Sequence, residues 1–182
     1  MILSRLTPWL PETAVTALEE ILNEGKDLKV FEYGCGMSTV WMSLHKNVQS
    51  VTSIEHDTTW AIDIGTLIGN HHRATIYPGD RPYHGRINGL FYAPYASNGM
   101  YDIILIDGRD RVKCIEAAIP HLKPGGILIL DNSEREYYQR GIDLMEKWDK
   151  LYFYQPQPDR YGFTYPNWQC TFFFKPETSN PK

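Results

Sequence analysis

Cysteine is scarce in this chain and has no pairing pattern. Cys35, Cys114 and Cys170 are widely spaced, odd in number and without a CxxC pair, which excludes a disulfide framework or a four-ligand zinc site and leads us to expect a reducing, cytoplasmic compartment. Long apolar runs are also missing: nowhere do about 18 apolar residues follow one another as a membrane span requires, and the start MILSRLTPWLPETA lacks the apolar core of an export leader. Positive charge is not in excess. With 18 basic against 22 acidic residues and a formal charge of -4, no overall field draws the protein to nucleic acid or an anionic membrane, although a local basic patch stays open. No Gly-Lys is followed by Ser or Thr, so a P-loop and ATP hydrolysis are excluded. No internal repeat is evident.

What is present is the material of one α/β domain, expected to span 1–182. The 182 residues are 42% hydrophobic, enough to bury a core. A helix is predicted over 11–24, within an N-terminal segment 1–26, with Pro at its start and Gly25 beyond its end. Short apolar runs then alternate with helical patterns: KVFEY and STVWMSLHKN, SVTSIE and DTTWAIDIGTLIGN, ATIYP, YDIILID and RVKCIEAAIPHL, GILILD and SEREYYQRGIDLMEKW. Nearly all-apolar strands in such alternation predict an open, doubly wound parallel sheet with helices on both faces. Two segments break the rhythm. The stretch 79–100 is rich in Gly, Pro, Asn and aromatics and is expected to be an active-site loop; 150–175 reads as a C-terminal hairpin of KLYFYQ and QCTFFFK, followed by a disordered tail.

In an open α/β sheet, ligands bind beyond the carboxyl ends of the strands, where strand order reverses. VFEYGCGMSTVWM, at 30–42, places Gly34 and Gly36 at the first such end, where a missing Cβ permits a sharp turn and close approach of a ligand to the main chain. Ser38 or Thr39 is expected to cap the next helix. Glu55 closes the second strand nineteen residues after Gly36, the spacing of an acid that accepts hydrogen bonds from ribose hydroxyls; Asp57 is expected to cap the following helix. The third glycine of a dinucleotide fingerprint is absent, with Thr39 in its place, which weakens a pyrophosphate site. Glu32, two residues before the turn, suits an amino or sulfonium cation. The ligand implied is a nucleoside with a positive tail.

The segments FEYGCGMST, IEHD, YDIILIDGRDR and LKPGGILILDN, in that order, resemble the class I S-adenosylmethionine-dependent methyltransferases over 28–132. The resemblance implies a Rossmann-like, mostly parallel seven-stranded sheet with an antiparallel C-terminal strand, and S-adenosylmethionine as cofactor. It implies Glu32, Gly34, Cys35 and Gly36 around the methionine part, with Ser38 in the same turn, Glu55 on the ribose, His56 on adenine, and Gly79 with Asp80 near the adenine. The sequence is closest to the catechol-type O-methyltransferases, in which an Asp ends the fourth strand and an Asp-Asn pair ends the fifth. Here those are Asp107, Asp131 and Asn132, three oxygen donors suited to Mg²⁺. Two other readings stand beside the metal: Ser133 with Glu136 matches a capping box, and Asp107 alone can orient cofactor or act as the catalytic base. The lysine of the catechol pattern is missing, since Asp110 stands there with Arg109 and Lys113 off register.

Trp41, Trp60 and Trp148 lie on helical patterns and are expected in the core, whereas Tyr83, Phe91, Tyr92, Tyr95, Tyr161, Phe163, Tyr165 and Trp168 are expected to wall an acceptor pocket. His84 is a base or a surface residue; His71, His72 and His121 are expected to be structural. Arg109 and Arg111 allow for an anionic group on the substrate. The Asp/Asn-Pro-Pro-aromatic motif of base-amino methyltransferases is absent. The sequence therefore points to methylation of a small molecule, at a hydroxyl, with no nucleic-acid or membrane partner and a homo-oligomer left open. The alternatives are an NAD-type Rossmann oxidoreductase and a non-catalytic S-adenosylmethionine-binding protein.

Overall fold

The computed structural model describes residues 7–69, 73–78, 99–156 and 168–177. The order of elements is α1 (Glu12–Glu24), β1 (Leu28–Tyr33), α2 (Met37–Ser43), β2 (Val48–Glu55), α3 (Thr58–Ile68), β3 (Ala74–Pro78), β4 (Tyr101–Ile106), α4 (Arg111–Ala118), β5 (Leu122–Asp131), α5 (Gln139–Asp143), β6 (Asp149–Gln155) and β7 (Trp168–Phe174). The strands form one seven-stranded sheet in the order β3-β2-β1-β4-β5-β7-β6. All neighbours are parallel except β7, which runs antiparallel to both β5 and β6. The sheet is thus doubly wound, and strand order reverses between β1 and β4.

Strand alternation divides the core. Phe31, Tyr33, Ile104, Ile106, Leu128 and Leu130 face α4 with its Cys114, Ile115 and Ala118. Val30, Ile103, Leu105, Ile127 and Ile129 face the opposite way, toward Leu18 and Leu22 of α1 and Trp41 and Met42 of α2. The central strands are apolar on both sides because both faces are covered, which is the reason their sequences lack polar alternation. α3 packs through Ile64 and Ile68 against Val40 and Cys35.

α1 and its Gly25 stop lie where the sequence predicts. Pro11 supplies no capping side chain, and the N–H of Glu12 instead donates to Gln155 Oε1 at 2.7 Å, tying the start of α1 to the end of β6. The 3.6-residue pattern after β5 forms much less helix than expected: a 3-10 turn over Glu136–Tyr138 and the five residues of α5. Gly141 explains the short span. A Cβ there would lie 2.7 Å from Ile115 Cδ1, so the segment is pressed onto α4 at a residue that is itself a poor helix former. No helix among the described residues is long and apolar enough to cross a membrane.

Candidate active site

The chain leaves β1 through a turn that only glycine can make. Gly34 has φ +95, and a Cβ on it would lie 2.8 Å from the Cα and N of Gly108 at the end of β4. The two strand ends therefore touch through bare backbone. They are tied by the N–H of Asp107 donating to Tyr33 O at 2.9 Å, while the N–H of Gly34 donates to Ile54 O at 2.8 Å. Gly36 is different. Its φ of -174 is ordinary extended backbone, and a Cβ would meet only Ser38 Oγ, at 3.8 Å. The fold does not require glycine at this position, and space is left open beside it.

Gly36, rather than Ser38 or Thr39, is the N-cap of α2. Thr39 serves the turn from inside the helix, its Oγ1 accepting the N–H of Gly36 at 3.0 Å. That hydroxyl donates in turn to Glu32 Oε2, which also accepts from Ser53 Oγ at 2.6 Å, while Glu32 Oε1 accepts from Ser38 Oγ. Glu32 is fully buried, and burial pushes its carboxyl up to about 7 against the pull of three hydroxyl donors, with the Glu55 carboxylate adding to the rise. Its carboxylate thus lies beneath the turn, organising it through Thr39.

Glu55 ends β2 and is 4% exposed. Its Oε1 accepts the Asp57 N–H at 2.8 Å and lies against His56 Nδ1. A carboxylate accepts about four hydrogen bonds, so capacity is left for ligand hydroxyls. Asp57 caps α3 as expected, accepting from the N–H groups of Thr59 and Trp60 at 3.0 and 3.1 Å. Trp60 corrects a core expectation: it is 45% exposed, and its Nε1 donates to Cys35 O at 2.7 Å, pinning the outside of the glycine turn. Burial pushes the Cys35 thiol up, so it is no nucleophile near neutral pH.

A cavity of about 1100 Å³ opens over the carboxyl ends of the strands. Gly34, Cys35, Gly36 and Ser38 line one side of it together with Glu55 and His56; Asp107, Gly108, Arg109, Arg111 and Asn132 line the other. Trp9, Trp60 and Trp168 also face it. Trp41 is buried in the core and Trp148 packs against it, as expected. His121 contacts Gly99 O through Nδ1 at 3.1 Å, a structural contact. Gly79, Asp80, Tyr83, His84, Phe91, Tyr92, Tyr95, Tyr161, Phe163, Tyr165, His71 and His72 lie outside the described residues.

Asp107 and Asp131 converge as the strand pairing requires, but the donors do not fit a divalent ion. The guanidinium of Arg111 lies between them, its Nη2 donating to Asp107 Oδ1 at 2.9 Å and its Nη1 lying 3.6 Å from Asp131 Oδ2. The same side chain donates to Asp107 O at 2.9 Å, to Gly108 O at 3.0 Å and to Asp131 O. Asp131 Oδ1 accepts from Trp168 Nε1 at 2.7 Å. Asp131 is 3% exposed; burial, and then the nearby Asp107 charge, hold its carboxyl well above the usual carboxylate range. A guanidinium thus already stands between the two acids, at the place where a divalent ion bridging them would sit. Among the described residues no group of three or more His, Cys, Asp and Glu side chains is arranged to hold a metal.

The capping alternative also fails. Ser133 Oγ pairs with Thr171 Oγ1 at 2.7 Å, and the 3-10 turn that follows has no side-chain cap. Asn132 turns the chain in the left-handed region, φ 52, and lines the cavity. Sequence reasoning missed the role of Arg111 in this cluster. The available signal was its spacing, four residues after Asp107 and so in reach of a first-turn partner.

The family model described as "Methyltransferase domain" matches residues 31–133, from β1 to just beyond β5. The chain belongs to this methyltransferase family. The oxidoreductase alternative gains no support from the match. In structure, the methyltransferase is similar to the O-methyltransferase from Bacillus cereus in complex with SAH, at 15% identity and TM-score 0.71 over 94% of this chain and 86% of that one. It is also similar to the O-methyltransferase TomG from Streptomyces achromogenes, involved in tomaymycin synthesis and in complex with SAM, at 14% identity and TM-score 0.69 over 96% and 89%. A methyltransferase-like protein from Silicibacter pomeroyi shares 21% identity at TM-score 0.65 over 96% and 91%. Likenesses at such identities are likenesses of fold. No curated protein matches the chain in sequence.

Proposed function

We propose that the protein transfers a methyl group from S-adenosylmethionine to the hydroxyl oxygen of a small molecule. The observation that carries this reading is one cavity in a methyltransferase-family chain with a roomy glycine at Gly36 and a strand-end acid at Glu55 on one wall, and Asp107 on the other. The structurally similar proteins bound to SAM and SAH support the choice of cofactor.

In this reading Glu55 accepts hydrogen bonds from the ribose hydroxyls, and His56 and the exposed Trp60 flank the adenine. Gly34, Cys35, Gly36 and Ser38 surround the methionine part, and Glu32 acts from beneath as the brace of the turn. When bound, the cofactor would supply an electrophilic sulfonium methyl: the acceptor oxygen would attack its carbon, the C–O bond forming as the C–S bond breaks and leaves its electron pair on sulfur. Asp107, with a carboxyl raised by burial and held by Arg111, is the group placed to receive the hydroxyl proton. No metal takes part, because the Arg111 guanidinium supplies the positive charge at that point. The three free cysteines, all buried, suit a reducing cytoplasm, and the formal charge of -4 favours a small-molecule acceptor over nucleic acid.

Calorimetric titration of the full chain with S-adenosylhomocysteine and, separately, NAD is the test. Binding of the former alone, lost in Glu55→Ala, is expected. Absence of binding to S-adenosylhomocysteine by the folded protein overturns the proposal, and turnover with hydroxylated acceptors separates an enzyme from a non-catalytic binding protein.

A further inference from the structure

A second cavity, of about 570 Å³, adjoins the first. Gly108, Arg109, Arg111 and Arg135 line both, so these residues form the wall between the two spaces. Beyond that wall lie the start of α4 and the segment from Arg135 to Arg140, with Tyr137 and Tyr138. The volume is that of a small-molecule site, not of a groove for a polymer.

Its charge is opposite to that of the chain. Five cationic side chains face the space, Lys113 and Arg140 adding to the three arginines of the shared wall, against two carboxylates, whereas the whole protein carries -4. Arg111 is committed to Asp107 and Asp131. Arg109 and Lys113 are exposed and join no ion pair among the described residues. Arg135 donates to the Tyr137 hydroxyl at 3.0 Å and lies 3.7 Å from Glu134, an exposed contact that a stronger oxyanion can replace. The first-turn N–H groups of α4 add to the same field, since Asp110 makes no side-chain cap over them.

The two acids do not cancel this field. Glu116 is held by Arg140 at 3.3 Å. Asp110 has a carboxyl raised by burial against the pull of the nearby Lys113 charge, and its Oδ2 is buried away from the cavity space.

We infer that this cavity binds an oxyanion, phosphate or carboxylate, carried by the methyl acceptor, so that the substrate is an anionic small molecule whose hydroxyl is presented across Gly108 and Arg109 to the cofactor cavity. The inference rests on the methyltransferase reading of the larger cavity. Guanidinium groups match both kinds of oxyanion in a two-point fit, and the lysine adds a point charge. The exposed Tyr137 adds an aromatic surface for the apolar or planar part of the acceptor, while Tyr138 is buried beneath Arg111.

The test uses inorganic pyrophosphate and citrate as probes, titrated at fixed ionic strength into the full chain saturated with S-adenosylhomocysteine. Binding of either supports the inference, and the tighter of the two names the anion. Lys113→Glu reverses a charge on an exposed residue that lines only the smaller cavity; it is expected to weaken the anion by about tenfold or more and to leave the S-adenosylhomocysteine affinity unchanged. No binding of either probe to the wild type, or equal binding to Lys113→Glu with its fold verified by melting, overturns the inference. S-adenosylhomocysteine binding with no anion binding removes only this inference, whereas loss of the former removes the reading beneath it.

Discussion

Two buried acid clusters lie under the carboxyl edge of the sheet, one on each side of the point where strand order reverses, and they are neutralised in different ways. Under β1, Glu32 is surrounded by the hydroxyls of Ser38, Thr39 and Ser53, with Glu55 near enough to raise its pKa. Under β4 and β5, Asp107 and Asp131 enclose a guanidinium of their own. Among the described residues the first cluster has hydroxyl donors but no Lys or Arg, whereas the second has its own guanidinium. In the proposed reading the cationic end of the cofactor therefore lies on the β1 side, and the anionic part of the acceptor lies on the β4 side, toward Arg109 and Lys113. The asymmetry fits a sulfonium donor facing an anionic acceptor.

Removing the built-in cation is the most severe way to break this comparison. Arg111→Met leaves the buried Asp131 and the partly exposed Asp107 without their partner and is expected to cost about 3–5 kcal/mol, a fall in Tm on the order of 10 °C. The double variant with Asp131→Asn should recover much of that loss. A thermal melt of Arg111→Met within about 1 °C of wild type contradicts the proposed charge balance.

The cluster under β1 is expected to respond to pH instead. A carboxyl raised to about 7 in the folded state, from 4.5 unfolded, holds its proton more tightly when folded. Its contribution to stability is thus complete below pH 4.5 and is lost as pH rises through about 7. Urea unfolding across this range should show a decline on the order of 3 kcal/mol that is present in wild type and absent in Glu32→Gln. Equal pH slopes in the two proteins contradict the assignment.

The two glycines sharpen the same side of the cleft. Gly34→Ala forces a side chain into the Gly108 backbone and should lower both Tm and S-adenosylhomocysteine affinity. Gly36→Ala has room in the fold; it should melt within about 2 °C of wild type and yet bind S-adenosylhomocysteine about tenfold more weakly. Unchanged affinity in Gly36→Ala means that the ligand does not lie against that turn.

These pairs show which features the sequence exposes. The sheet, its winding and the C-terminal hairpin follow from runs such as YDIILID and GILILD, because burial on both faces removes polar residues from the strands. Glu55 and Asp57 are readable because one ends a strand and the other precedes a helix, both local conditions. Arg111 is not readable in this way: its partners include Asp131, twenty residues on, and only the pairing of β4 with β5 brings them together. Trp60 deceives for a related reason. Its helical period suggests the core, but its indole reaches back to Cys35 O across the cleft, a contact that depends on how α3 sits beside the turn. The short α5 reflects Gly141 against Ile115, again a tertiary contact that no local pattern contains.

The smallest expected effect is none at all, and it separates this protein from the catechol-type pattern its strand ends resemble. In that pattern two carboxylates and an amide oxygen hold a divalent cation that lowers the pKa of the acceptor hydroxyl. Here the same strand ends hold a guanidinium with a permanent charge, and burial raises both carboxyl pKa values. Such a cluster cannot accept a second cation without pulling Arg111 from four hydrogen bonds and an ion-pair contact. Titration of wild-type protein with Mn²⁺, followed by electron paramagnetic resonance, should therefore show no stoichiometric binding, and turnover should change by less than about twofold in chelator. A Mn²⁺ signal that disappears in Asp131→Asn would mean that Arg111 yields its place to metal, and the two sides of the cleft would then differ less than their charges indicate.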